Sequence, residues 1–214
     1  MKVERNQVRN KEMTKMKIER RNYNLIELRS DDTEKRKMVG HAAIFNSETN
    51  IGDFFVERVA PGAFAESIMK DDIRALFNHN PNYVLGRSNS KTKTLRLGED
   101  EKGLAIEIDP PDTQFAKDLT ISMERGDIDQ MSFGFRVIKE SWESRENGLD
   151  VRTLEKVKLY DISPVTFPAY EDTEIAVRSH DEWKAQKELD NKPSFEQWRI
   201  NIERLKLQLK SKEE

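Results

Sequence analysis

Gln130-Met131-Ser132-Phe133-Gly134-Phe135-Arg136-Val137 changes character at every second residue. Met131, Phe133, Phe135 and Val137 fall on one face, and Ser132, Gly134 and Arg136 fall on the other. That is the pattern of a strand with one face against a core. The alternation continues to Glu140, so residues 130–140 are predicted as a long strand. Working outward, residues 39–45, 54–59, 74–77 and 156–166 read as further strands, with Pro164 ending or bulging the last. Residues 92–97 and 104–108 flank Gly98–Gly103, a hairpin turn. Two helices interrupt the strands. Pro61–Lys70 carries Phe64, Ile68 and Met69. Asp112–Arg125 starts behind Pro110-Pro111 with Asp112 as its cap and stops at Gly126. Many short strands with few helices predict a mainly β, α+β fold, an antiparallel sheet or barrel with helices packed outside.

The two ends have a different texture. Residues 1–22 hold eight basic and three acidic side chains and few apolar ones. No core can form there, so the segment reads as a flexible basic tail or a weak helix. One domain is expected over 23–178, followed by a charged helical tail over 179–214. In that tail Ser194 and Gln197 make a capping-box start. Phe195, Trp198, Ile202, Leu205 and Leu209 then recur at alternating spacings of three and four. So short a seam favours a terminal helix docking on its own domain over a coiled-coil partner helix.

Composition removes chemistries. The chain of 214 residues has three histidines and no cysteine, so no thiol nucleophile, thiolate metal site or disulfide is available. A three-histidine metal site would need His41, His79 and His180 to converge. What survives most easily is a histidine acting as general base beside a hydroxyl nucleophile, and neither a metal nor a cofactor is expected. Charged and apolar residues each make up 36%. That apolar share is low for a uniformly globular chain, in keeping with segments outside the core. The net charge of −3, with no basic patch beyond the N-terminus, gives no reason to expect a nucleic-acid partner. No apolar run approaches the roughly 18–20 residues of a membrane span, and no secretory h-region is visible. A soluble intracellular protein is the expected class.

Local patterns nominate three residues. Ser132 lies early on its strand, faces away from the phenylalanines, and has Gly134 two residues on, where a substrate backbone could approach closely. The same position also suits an ordinary polar residue on the wet face of a strand. His79, in Phe77-Asn78-His79-Asn80-Pro81, sits where a strand gives way to a loop, before a proline expected to hold it extended. It also reads as a turn histidine with its ring in water. His41, inside an alternating strand, suits a hydrogen-bonded structural role, and His180 falls in a charged stretch past the expected domain. Asp161, in Leu159-Tyr160-Asp161-Ile162-Ser163-Pro164, has apolar neighbours. Its carboxylate needs a partner such as an imidazole N–H, or it is a satisfied strand-end Asp.

Read in order, several motifs form a series: Gly40-His41-Ala42-Ala43-Ile44-Phe45-Asn46, Val59-Ala60-Pro61-Gly62-Ala63-Phe64, Leu76-Phe77-Asn78-His79-Asn80 and Leu85-Gly86-Arg87. Pro111-Asp112-Thr113, Met131-Ser132-Phe133-Gly134-Phe135 and Tyr160-Asp161-Ile162-Ser163-Pro164-Val165-Thr166-Phe167-Pro168-Ala169-Tyr170 follow. The series, over about 23–178, resembles the prohead (procapsid) proteases of tailed bacteriophages, capsid-maturation serine peptidases. The resemblance implies the fold of the herpesvirus assemblins, a small β-barrel surrounded by helices. It also implies Ser132 as nucleophile, His79 as general base and Asp161 as third member, where relatives usually carry Glu. Glu171 stands where relatives often have Pro.

The implied activity is acyl transfer without a metal, with backbone N–H donors holding the oxyanion and Arg87 a candidate to assist. The implied substrates are the scaffolding segment of the major capsid protein precursor and the protease's own tails. The implied setting is the procapsid in the host cytoplasm, with no membrane partner and with dimerisation open. A non-catalytic assembly or scaffolding protein on the same fold is the alternative, and the heptad-bearing tail suits it.

Overall fold

The computed structural model describes residues 18–24, 37–146, 148–167 and 173–190, together with Arg199 and Arg204. The expected C-terminal capping box and heptad seam lie outside the described residues. The strands are β1 (Glu19–Asn24), β2 (Met38–Ile44), β3 (Thr49–Ile51), β4 (Phe55–Val59), β5 (Ile73–Phe77), β6 (Asn80–Ser88), β7 (Leu95–Glu99), β8 (Gly103–Ile108), β9 (Gln130–Glu143) and β10 (Asp150–Val165). The helices are α1 (Ala65–Lys70), α2 (Gln114–Glu124) and α3 (Thr173–Asp190). The mainly β, α+β expectation matches this inventory. The chain divides into two units, Met1–Val177 and Arg178–Glu214. In the second unit His180 stacks on Trp183 with ring centroids 6.0 Å apart. No helix among the described residues is long and apolar enough to cross a membrane.

The antiparallel pair β9–β10 is the spine of the first unit, running from Gln130↔Val165 to Glu143↔Val151. It sits within a seven-stranded sheet of order β1-β9-β10-β4-β3, with β5 and β6 branching from β10. The outer edge of β10 is satisfied in three stages. Asp150–Leu154 pair in parallel with β4, and Asp161 and Ile162 pair in parallel with β5. Between them the Val157 N–H donates to the Ala63 carbonyl and the Leu159 N–H to Ser67 Oγ. The turn and helix α1 that connect β4 to β5 therefore supply the acceptors that neither strand reaches.

A second, three-stranded sheet has the order β2-β8-β7. Isolated bridges link Phe45 with Val59 and Ser88 with Lys93, so the two sheets meet at both margins. The ladders themselves describe two open sheets rather than one continuous barrel. Between the sheets lies a core containing Phe64, Leu104, Ile108, Met131, Phe133, Phe135, Leu159 and Ile162. The rings of Phe64 and Phe133 meet edge to face at 5.4 Å. Gly103 is required by close packing, since a Cβ there would run into the Ala43 carbonyl.

Two expectations change. The N-terminal tail ends sooner than residue 22, because Glu19–Asn22 already pair with Phe135–Ser132 of β9. Their charges made the segment look solvated, yet Glu19 and Arg21 are buried. Arg21 forks onto Glu57 at 2.6 and 2.9 Å and reaches Glu19 at 2.7 Å. Arg152 donates to Glu19 and Glu57, each at 2.9 Å, and to Glu140 at 2.8 Å. In isolation each of these charges would be costly to bury; together they satisfy one another. The cap of α2 is Thr113 rather than Asp112. The Thr113 hydroxyl accepts from the Ala116 N–H, while Asp112 pairs with Lys117.

Candidate active site

Ser132 is on the face of β9 opposite its phenylalanines, as the alternation predicts, but that face is not wet. Ser132 is 0% exposed. Its cross-strand partner on β10 is Ser163, and Gly134 faces Asp161.

Asp161 owes its orientation to a bulge. The register passes from Leu159↔Phe135 to Asp161↔Gly134, leaving Tyr160 unmatched. In an unbroken strand residues 159 and 161 would share a face. The extra residue shifts the phase, so that Leu159 and Ile162 both enter the core while Asp161 joins Ser132, Gly134 and Ser163 on the other side. Gly134 has a different reason from the expected substrate approach. A Cβ at this position would run into Asp161 Oδ2, so the glycine makes room for the carboxylate.

His79 comes from the turn between β5 and β6. Phe77 pairs with Asn80, so the loop is Asn78-His79 alone. Both residues have positive φ, 51° and 55°, as a tight hairpin turn matching strand twist requires. The expectation of an extended His79 was wrong. The proline restriction falls on Asn80, the residue directly before Pro81. Asn and His are among the non-glycine residues that tolerate this region best. Asn78 also fastens the turn to the end of β10: its N–H donates to the Pro164 carbonyl at 3.0 Å, and its Oδ1 accepts from the Thr166 N–H at 2.9 Å.

These three elements converge. Asp161 Oδ1 lies 2.5 Å from His79 Nδ1, and Ser132 Oγ lies 2.7 Å from His79 Nε2. The His79 side chain is 8% exposed and that of Asp161 12%. A carboxylate oxygen only accepts, so in the neutral ring the proton belongs on Nδ1 and Nε2 is left to accept from the Ser132 hydroxyl. Asp161, shorter than Glu, reaches the ring in full contact. Its Oδ1 also accepts from Ser163 Oγ at 2.8 Å. Sequence reasoning missed Ser163 and the anchoring role of Asn78. The available signals were Ser163's place two residues after Asp161, and an asparagine opening a two-residue turn.

The other candidates are engaged elsewhere. His41 Nε2 pairs with Asp100 Oδ2 at 2.8 Å. This bond, with the Gly103 N–H behind it, brings the Asp100 carboxyl down to about 2. Arg87 forks onto Asp72 at 2.8 and 2.6 Å and takes that carboxyl down to about 2. Among the described residues, no three His, Asp or Glu side chains cluster as metal ligands.

Comparison with known proteins points to one family. The family model of the caudovirus prohead serine proteases matches residues 24–187. The prohead protease of Enterobacteria phage HK97 is 31% identical over 141 residues, covering 64% of this chain and 57% of that protein. The match thus spans little more than half of that relative's length. The solved structure of the bacteriophage T4 capsid assembly protease aligns with a TM-score of 0.45 and 9% identity, over 71% of this chain and 98% of that one.

Proposed function

We propose, since the chain belongs to the caudovirus prohead serine protease family, that it is a serine endopeptidase of phage prohead maturation with Ser132, His79 and Asp161 as its catalytic triad. The observation that carries this reading is the unbroken relay from Asp161 through both ring nitrogens of His79 to Ser132 Oγ, at 2.5 and 2.7 Å. In it His79 Nε2 takes the Ser132 proton as Oγ attacks a peptide carbonyl. The imidazolium then delivers that proton to the departing amine, and a water, deprotonated by the same nitrogen, releases the acyl group. Asp161 holds the tautomer that leaves Nε2 free and stabilises the imidazolium as it forms.

The substrates in this reading are the scaffolding segment of the major capsid protein precursor and the protease's own terminal segments. The reaction takes place inside the procapsid in the host cytoplasm. Cleavage within a closed shell lets scaffold fragments leave and makes maturation irreversible. The same reading takes the circuit of β4, β2, β8, β7, β6, β5 and β10, joined by ladders and the two isolated bridges, as a small barrel of the assemblin type.

The test is co-expression with the cognate capsid precursor, comparing the parent chain with Ser132→Ala and His79→Ala. The precursor should be processed only by the parent. Processing that persists in Ser132→Ala would remove Ser132 as the nucleophile.

A further inference from the structure

We propose that Ser163 and Gly134 are positioning residues that set the Asp161 carboxylate for its work on His79, making the site a four-residue relay with a built-in vacancy. The inference deepens the triad reading above and rests on it. Two independent observations carry it. Ser163 Oγ is 2.8 Å from Asp161 Oδ1, the same oxygen that meets His79 Nδ1. On the other side of the carboxyl, the missing side chain of Gly134 is what admits Oδ2. One residue therefore holds one oxygen by donation, and the other accommodates the second by absence.

The chemistry follows from the donor inventory. Asp161 as a carboxylate offers only acceptors, so the hydroxyl at Ser163 must donate. A short carboxylate side chain has two torsions, and a single hydrogen bond to His79 leaves the carboxyl free to rock about that contact. The second donor removes this freedom, and burial strengthens both bonds. Ser163 is 0% exposed, so water cannot replace the lost donor without new space. Donation to Oδ1 also withdraws negative charge from the atom that faces the imidazole. Removing it leaves a more basic carboxylate beside His79, which favours the imidazolium.

Ser163 and Gly134 each lie directly across from a triad member, opposite Ser132 and Asp161 respectively. Neither has been assigned a proton to transfer. Both act through Asp161.

The test is the labelling rate of the full chain with a fluorophosphonate, followed from pH 5 to 9, with the labelled serine mapped by mass spectrometry. The parent should be labelled at Ser132. Ser163→Ala should label about tenfold more slowly, as the loss of one hydrogen bond to a charged group implies. Its acid limb should move to higher pH, because Nε2 stays protonated longer. Ser163→Thr keeps the hydroxyl and should restore both rate and limb. Gly134→Ala displaces the carboxylate from the ring, so it should slow labelling and move the limb the opposite way, to lower pH.

A purely structural role would change the amount of active protein and leave the limb in place. An unmoved limb in folded Ser163→Ala therefore overturns the role of Ser163. If that variant does not fold, an unmoved limb in folded Gly134→Ala overturns the proposal instead. Labelling that survives in Ser132→Ala sinks the triad reading itself, and a parent chain that resists labelling overturns both.

Discussion

The β9–β10 ribbon buries polar side chains at both of its ends, and the two ends do so in different ways. Toward one end Arg152 and Glu140 meet Glu57 and, reaching across from β1, Glu19 and Arg21 in a web of multiply shared, charge-assisted bonds. Burial pushes the Glu19 carboxyl up, but Arg152 and Arg21 more than reverse this and hold it below the ordinary range. Each charge there is matched from more than one direction, so no proton has anywhere to go. At the other end Ser163, Asp161, His79 and Ser132 form a line of single bonds. The line ends on a hydroxyl whose proton faces a basic nitrogen. Saturation from several sides makes a structural lock, whereas a directional relay leaves one proton free to move. Burial alone does not distinguish them.

The contrast can be broken most severely at the relay. Ser132→Ala and His79→Ala should each lower the rate of capsid-precursor cleavage by about 10⁶-fold, with urea midpoints near the parent's. Asp161→Asn should cost less, about 10⁴-fold, because nucleophile and base remain but the tautomer is wrong. Full activity in Asp161→Asn would take that residue out of the site.

At the lock the signs reverse. Arg152→Met leaves the carboxylates of Glu19 and Glu57 short of a partner, and should destabilise the fold by about 3–5 kcal/mol in urea titration. Cleavage per folded molecule should hold. Acid probes the same place more gently. With its folded pKa depressed, Glu19 contributes stability in full above the ordinary Glu value of about 4.3, and the contribution fades as pH falls through the folded pKa. Hydrogen exchange of the β1 amides should therefore accelerate below that pH ahead of the β9–β10 amides, and uniform acceleration would contradict a local lock. The smallest effect belongs to neither end. Thr113→Ala removes the cap of α2 and should cost about 1 kcal/mol by thermal melting.

Much of this architecture was open to reading because β9 obeys a strict two-residue period. Its faces, and so the side on which Ser132 lies, follow from the alternation of Met131 to Val137. The pairing of Asp161 with His79 was less accessible. It depends on the unmatched Tyr160, and a bulge leaves no periodic trace in a strand whose neighbours on both sides are apolar. Glu19 and Arg21 were hidden for another reason: isolated charges read as solvated, and their partners Glu57 and Arg152 are distant in sequence. The turn carrying His79 was visible as a turn, but its left-handed geometry was not. The nearby proline drew attention to the wrong residue. In each case the missing information was a contact between strands rather than a local preference.

The unmatched Tyr160 has a consequence for heredity. Most single-codon deletions at a protein surface shorten a loop and are tolerated. A deletion of the Tyr160 codon would leave Ser132, His79 and Asp161 encoded and the apolar content of β10 almost unchanged. If the remaining strand kept its Leu159 contact with β9 and resumed simple alternation, Asp161 would follow Leu159 directly and the relay would survive. The far end anchored at Pro164 would keep its register as well, because Leu159↔Phe135 and Asp161↔Gly134 are consecutive pairs along β9. The bulge thus acts as slack between two fixed ends. Loss of Tyr160 is therefore a change of length that this stretch can absorb, whereas loss of a paired neighbour such as Ile162 would put Asp161 and Ser163 on opposite faces.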